Sequence, residues 1–173
     1  MGLFMQTITS HNSENSNNIE GEHILFSLTY IGKYIGKNSE KNNGVELTRI
    51  LEQWRRNNEK NDITSALVIN DHYLIQNIEG SRPVINEVLV TLIKEYSYFL
   101  PHVIDVEEIE VRKWDGFLIK YLTSSSEDEG YTLKSLSAGA DFNPYLMKKN
   151  QIASFMDAIF EVRDPQGDEV SYF

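Results

Sequence analysis

Apolar residues fall along this chain in short strand-like runs, interrupted by two longer stretches with a helical period. From His23, the residues Ile24, Leu25, Phe26, Leu28, Tyr30 and Ile31 make a dense run that is short for a helix and rich in strand formers, so it predicts strand one. A loop follows from Gly32 to Asn43. Asn43-Gly44-Val45-Glu46 then offers a capping residue with a carboxylate three places on, which is a helix start. Val45, Leu47, Ile50, Leu51 and Trp54 recur on one stripe, with Glu52, Gln53, Arg55 and Arg56 mostly outside it, and the helix is expected to end near Asn57-Asn58. Ile63 to Ile69 is a second strand and Asn70-Asp71 has turn chemistry. Tyr73 to Glu79 alternates Leu74, Gln76 and Ile78 with Tyr73, Ile75 and Asn77, completing a hairpin.

Ser81 as a cap and Pro83 in the first turn open a second helix over residues 81–96, with Val84, Ile85, Val88, Leu89, Leu92 and Ile93 on its buried face; it must stop before Pro101. His102–Val111 and Lys113–Leu122 read as two more strands separated by a short turn. The sum is βαββαββ, an α+β chain whose first four strands and two helices follow the ferredoxin-like order. That order puts both helices on one face of a five-stranded sheet and strand one beside strand three. Outside this unit, residues 1–22 end in a polar, Asn-rich stretch that reads as a flexible arm, and residues 123–142 contain the linker-like Ser124–Gly130. Asn143-Pro144 begins a helical pattern through Leu146, Ile152, Phe155, Met156, Ile159 and Phe160, so residues 143–173 are expected to form a C-terminal helical cap with an acidic tail.

Composition narrows the chemistry. A length of 173 residues is about one domain with additions, and 26 acidic against 16 basic side chains give a net charge of -10, which works against a phosphate-neutralising surface and so against a nucleic-acid partner. Cys is absent, which removes disulfides, thiolate metal sites, cysteine nucleophiles and photochemistry through a thiol adduct. No apolar run approaches the ~20 residues of a membrane span, and the N-terminus lacks a secretory layout, so no membrane association and a cytoplasmic address are expected. The histidines at 11, 23, 72 and 102 have no ligand spacing, and neither a Gly-rich phosphate loop nor a metalloprotease-type motif is present, so metal or nucleotide chemistry is not expected.

The informative residues are polar groups on elements that should be buried: Tyr30 late in strand one, Asn57 and Asn58 at the end of helix one, and Gln76 in the middle of strand three. A buried amide without a partner costs ~1–3 kcal/mol. Across an antiparallel pairing of strands one and three, the Tyr30 phenol can reach Gln76, and on pattern alone the two form a core pair that satisfies itself.

These residues also resemble the BLUF domain family, blue-light sensors using FAD, over residues 23–122. The family's strand-one aliphatic-x-Tyr is matched by Leu28-Thr29-Tyr30, its Arg-Asn-Asn and Ile-Thr-Gly elements by Arg56-Asn57-Asn58 and Ile63-Thr64-Ser65, and its strand-three Gln and Glu-Gly by Gln76 and Glu79-Gly80. The resemblance implies a non-covalent FAD, or FMN, between the two helices, with Tyr30, Asn57, Asn58 and Gln76 as its contacts. Light would move an electron and a proton from Tyr30, and Gln76 would be left with rearranged hydrogen bonds: a switch rather than an enzyme. The output would go to an unidentified protein partner or a second copy.

The sequence departs from the family at four places. Thr91 stands where a basic residue points at the flavin, Glu95-Tyr96-Ser97-Tyr98 replaces an Asp-x-Arg-His type helix end, Gly32 replaces a small hydroxyl residue, and Phe117-Leu118-Ile119 replaces Trp-x-Met on strand five. By resemblance Phe117 and Ile119 would relay the signal, lying near both the flavin and a C-terminal helix seated on the open sheet face. Two other readings stand beside the photoreceptor. One is a flavin-free, light-insensitive interaction module. The other is an acylphosphatase-like hydrolase on the same fold, for which Tyr30-Ile31-Gly32-Lys33 makes a thin anion loop.

Overall fold

The computed structural model describes residues 23–33, 43–70, 72–94, 100–122 and 142–160. The chain divides into two units between Tyr121 and Leu122. The first contains β1 (Leu25–Lys33), α1 (Asn43–Lys60), β2 (Thr64–Ile69), β3 (Tyr73–Ser81), α2 (Arg82–Lys94), β4 (His102–Ile109) and β5 (Phe117–Tyr121). The strands form one sheet in the order β4-β1-β3-β2-β5, antiparallel except for the parallel β2/β5 pair. This is the expected ferredoxin-like βαββαββ arrangement, with β1 beside β3.

Strand alternation sends Leu28 and Tyr30 of β1, Leu67 and Ile69 of β2, and Leu74 and Ile78 of β3 to one face, where they meet Trp54 of α1 and Ile85, Val88 and Leu92 of α2 in a single buried cluster. Both helices therefore cover the same face. Ser27, Thr29, Ile75, Asn77 and Glu79 alternate to the other face.

Helix α1 runs past the expected stop at Asn58 to Lys60. Its end is a Schellman closure: Ile63 N–H donates to Asn58 O at 2.9 Å and Asp62 N–H to Glu59 O at 3.4 Å, with Asp62 at φ 51° in the left-handed position. No glycine marks this end, which is why the sequence placed it early. The closure reverses the chain at once, so β2 starts at Thr64 and returns along the helix end. The hairpin turn is as expected, with the Asn70 carboxamide oxygen accepting from the N–H groups of His72 and Tyr73 at 2.9 and 2.7 Å. Ser81 ends β3, paired with Leu25, and α2 begins at the next residue.

β4 and β5 are not neighbours separated by a turn. β4 lies at one edge, and residues 110–116 cross the ends of three strands before β5 pairs with β2 at the other. Gly116, at φ 78°, turns the chain into β5, and its carbonyl accepts from Ser65 N–H at 2.8 Å.

In the second unit the expected C-terminal helix is broken. A 3-10 turn, Pro144–Leu146, is capped by the Asn143 side chain accepting from Tyr145 N–H, Lys148 is extended, and α3 (Lys149–Ile159) follows. Ile152, Phe155 and Met156 are buried, and Phe142 stacks on Phe155 with ring centroids 5.5 Å apart, whereas Leu146 is exposed. The arm before His23, Glu95–Tyr98, most of the linker and the acidic tail lie outside the described residues. No helix among those described is long and apolar enough to cross a membrane.

Candidate functional site

Tyr30 and Gln76 occupy the same rung of the β1/β3 ladder and point to the helix-covered face. The Tyr30 hydroxyl donates to Gln76 Oε1 at 2.5 Å, and the two side chains are 1% and 2% exposed. Burial pushes the phenol's pKa above its ordinary value of 10.0, so the proton stays on Tyr30 and the bond has one direction: phenol donor, carbonyl acceptor. Gln76 therefore turns its Nε2 away from Tyr30, and among the described residues nothing accepts from it.

Asn58, 2% exposed, is held beside this pair by the Schellman closure. Its Nδ2 donates to Ser65 Oγ at 2.8 Å. Ser65 faces Ile78 on β3, one diagonal step along the ladder from the Leu67/Gln76 rung. Asn58 Oδ1 likewise accepts from no described residue. Asn57, next in the helix, is half-buried, and its carbonyl accepts from Asn61 Nδ2 at 2.7 Å. The structure thus brings Tyr30, Gln76 and Asn58 to one face, while Asn57 contributes to closing the helix end.

Phe117 and Ile119 are partly buried against the same core cluster as Tyr30, on the helix-covered face. Alternation puts Leu118 and Lys120 on the opposite face of β5. Thr91 turns its hydroxyl to its own helix, donating to Glu87 O at 2.9 Å.

Sequence reasoning missed four residues that hold this region together, Ser65, Asn77, Arg112 and Trp114, and found no structural role for Glu79. Glu79 is 3% exposed, and its carboxylate accepts from Thr64 Oγ1 and from the N–H groups of Lys113 and Trp114 at 2.9–3.1 Å. The usable signal was a carboxylate inside a strand, which demands partners once buried.

The sequence model of the BLUF family, sensors of blue light using FAD, matches residues 25–120. The chain belongs to this family. BLUF domains are non-catalytic photosensory modules associated with flavin. Among solved structures, the photo-activated state of BlsA is similar with a TM-score of 0.65 at 18% identity, covering 81% of this chain and 97% of that one. The BlsA ground state gives 0.66 at 18% identity over 80% and 87% of the two chains. The dark state of BlrB gives 0.55 at 23% identity over 77% and 98%. At these identities the likeness is one of fold. No curated protein matches the sequence.

The residues present fit a flavin ring. The polar edge of an isoalloxazine alternates carbonyl acceptors with an N–H donor. The BLUF chain here carries, on two side chains each 2% exposed, an amide NH2 on Gln76 and a carboxamide oxygen on Asn58 that no described residue engages.

Proposed function

We propose that this chain is a blue-light photoreceptor of the cytoplasm that binds FAD, or FMN in its place, non-covalently between α1 and α2. Tyr30, Asn57, Asn58 and Gln76 are the residues that hold it. Bound there, the flavin supplies blue-light absorption and, once excited, a strong one-electron oxidant. Tyr30 supplies an electron and, from its Oη, a proton. The proton would pass with the electron to the flavin, and Gln76 Oε1, which accepts the hydrogen bond it makes, would lose that bond and leave the amide free to turn. When the electron and proton return to Tyr30, the amide is left in a different hydrogen-bonding arrangement. Phe117 and Ile119, packed on the same cluster, are the proposed route onward to a protein partner or a second copy.

The observation that carries this reading is the buried Tyr30–Gln76 bond together with the open Gln76 Nε2. Absorption spectra of the purified protein before and after blue illumination test it. A flavin spectrum with a reversible red shift on illumination is expected; a bound flavin with no shift contradicts the switch.

One observation favours the flavin-free interaction module. On α2, Thr91 stands where the resemblance places a basic residue and turns its hydroxyl to its own helix, and Lys94 is exposed, so neither offers the flavin a cation; Arg82 lies over the Phe26 ring at 5.4 Å. Protein that purifies colourless and leaves the fluorescence of added FAD unquenched identifies that module.

A further inference from the structure

Three consecutive residues fasten the crossing segment between β4 and β5 to the rest of the first unit. Arg112 Nη2 donates to the Asp62 carboxylate at 2.8 Å and to the Asp62 carbonyl at 2.7 Å, at the closure that presents Asn58. The N–H groups of Lys113 and Trp114 share the Glu79 carboxylate. Trp114 Nε1 donates to Asn77 Oδ1 at 2.6 Å.

Asn77 in turn gives both amide hydrogens to β1, donating to Ser27 Oγ at 2.8 Å and Thr29 Oγ1 at 2.7 Å. An indole N–H can only donate, so the carboxamide oxygen must face Trp114 and the nitrogen must face the two hydroxyls. The network therefore has one orientation, with the carboxamide oxygen and both of its hydrogens engaged.

Its position matters more than its strength. Thr29↔Asn77 and Tyr30↔Gln76 are consecutive rungs of the β1/β3 ladder, so Asn77 lies behind the Tyr30–Gln76 pair on the opposite sheet face. On the other side of β1 the register with β4 shifts between Thr29 and Tyr30, pairing Thr29 with Asp105 and Tyr30 with Val103. Such a bulge increases local twist and weakens pairing. The aim of Tyr30 is then left to be fixed from the β3 side.

We propose that Asn77, anchored by Trp114, is a positioning residue for the Tyr30–Gln76 pair, fixing the twist of β1 against β3 at that rung. The positioning itself stands on the protein alone; its effect on light response rests on the photoreceptor reading.

The test uses the full chain as Trp114→Phe, which removes one N–H and keeps an aromatic ring, and as Asn77→Leu, with the neighbouring exposed Asp115→Ala as the control. In flavin-free protein, the side-chain amide resonance of Gln76 and the ring resonance of Tyr30 are followed by NMR in selectively labelled samples. Both should shift in Trp114→Phe and Asn77→Leu and stay fixed in Asp115→Ala. In flavin-loaded protein, the same two variants should change the rate of dark recovery by about fivefold, the rate equivalent of one hydrogen bond. Unmoved Gln76 and Tyr30 resonances in a folded Trp114→Phe overturn the proposal, and that variant decides if Asn77→Leu does not fold. Failure to bind flavin overturns the photoreceptor reading, and the resonances of the flavin-free protein then decide the positioning by themselves.

Discussion

Tyr30 and Gln76 stand directly opposite each other on β1 and β3 and are joined by a phenol-to-carbonyl hydrogen bond of 2.5 Å on the face both helices cover. Water has little access to either side chain, so truncating one strands the other. Tyr30→Phe and Gln76→Leu should each lower stability by ~1–3 kcal/mol, the penalty of one unsatisfied buried group. The double variant removes both polar atoms and should cost less than the sum, a coupling read from urea melts of all four proteins. In flavin-loaded protein, each single variant should also lose the light-induced spectral shift, because one removes the electron and proton donor and the other the amide that turns. A shift that persists in either variant contradicts the switch.

The buried phenol also sets a pH dependence. Burial raises the folded-state pKa of Tyr30 above the ordinary 10.0, so the folded chain keeps a proton that the unfolded chain gives up. The unfolded state then binds fewer protons, and stability falls as pH rises above about 10. Below that value the contribution is fully present. Urea melts across the alkaline range should show a downward slope that flattens in Tyr30→Phe. Ionisation followed by ultraviolet absorption should show one tyrosine titrating only as the chain unfolds. Equal slopes in the two proteins would mean that Tyr30 is not the residue responsible.

Ser65 holds Asn58 in place from the start of β2. Ser65→Ala removes the hydroxyl, leaves the Asn58 amide free to turn, and should cost ~1 kcal/mol of stability. Flavin affinity should fall by up to about tenfold, the equivalent of one misdirected hydrogen bond. Fluorescence titration with FAD measures the second effect separately from the first. Unchanged affinity would remove Asn58 from the flavin contacts.

The parts of this fold that can be read from sequence are those carried by alternation and local chemistry. β1 and β3 announce themselves through Leu28, Tyr30, Leu74 and Ile78, and Gln76 stands out because it occupies a core-facing place in that series. The Tyr30–Gln76 contact follows from the β1/β3 pairing of the ferredoxin-like order. The path of residues 110–116 does not. Its anchors are side chains meeting backbone N–H groups some 34 or 35 positions away, as Glu79 meets Lys113 and Trp114, and no periodicity encodes such a contact. A short gap between two strand-like runs reads as a hairpin unless the partner of the second strand is known. The end of α1 was missed for a local reason: Asp62 fills the left-handed position where glycine is the usual marker.

The last prediction concerns that crossing segment. The Glu79 carboxylate accepts from three donors, the Lys113 N–H bridging both oxygens, while only 3% exposed, so its two oxygens are the main attachment between β3 and residues 113–114. Glu79→Gln keeps the shape but replaces one accepting oxygen with an NH2 group, so the N–H groups of Lys113 and Trp114 must compete for the other. The Thr64 hydroxyl can rotate to accept from the new donor, which limits the loss. Stability should fall by ~1–3 kcal/mol, in the range for hydrogen bonds to a charged group. Amide exchange at residues 112–116 should accelerate by more than global destabilisation explains, because the carboxylate is the acceptor for two of the segment's own N–H groups. Glu79→Ala should be worse on both counts, since it leaves the same N–H groups buried without an acceptor. Arg112 keeps its contacts to Asp62 in each variant, so exchange at the α1 closure should remain slow. If residues 112–116 keep wild-type protection in a folded Glu79→Ala, the Arg112 and Trp114 contacts hold the segment without the carboxylate.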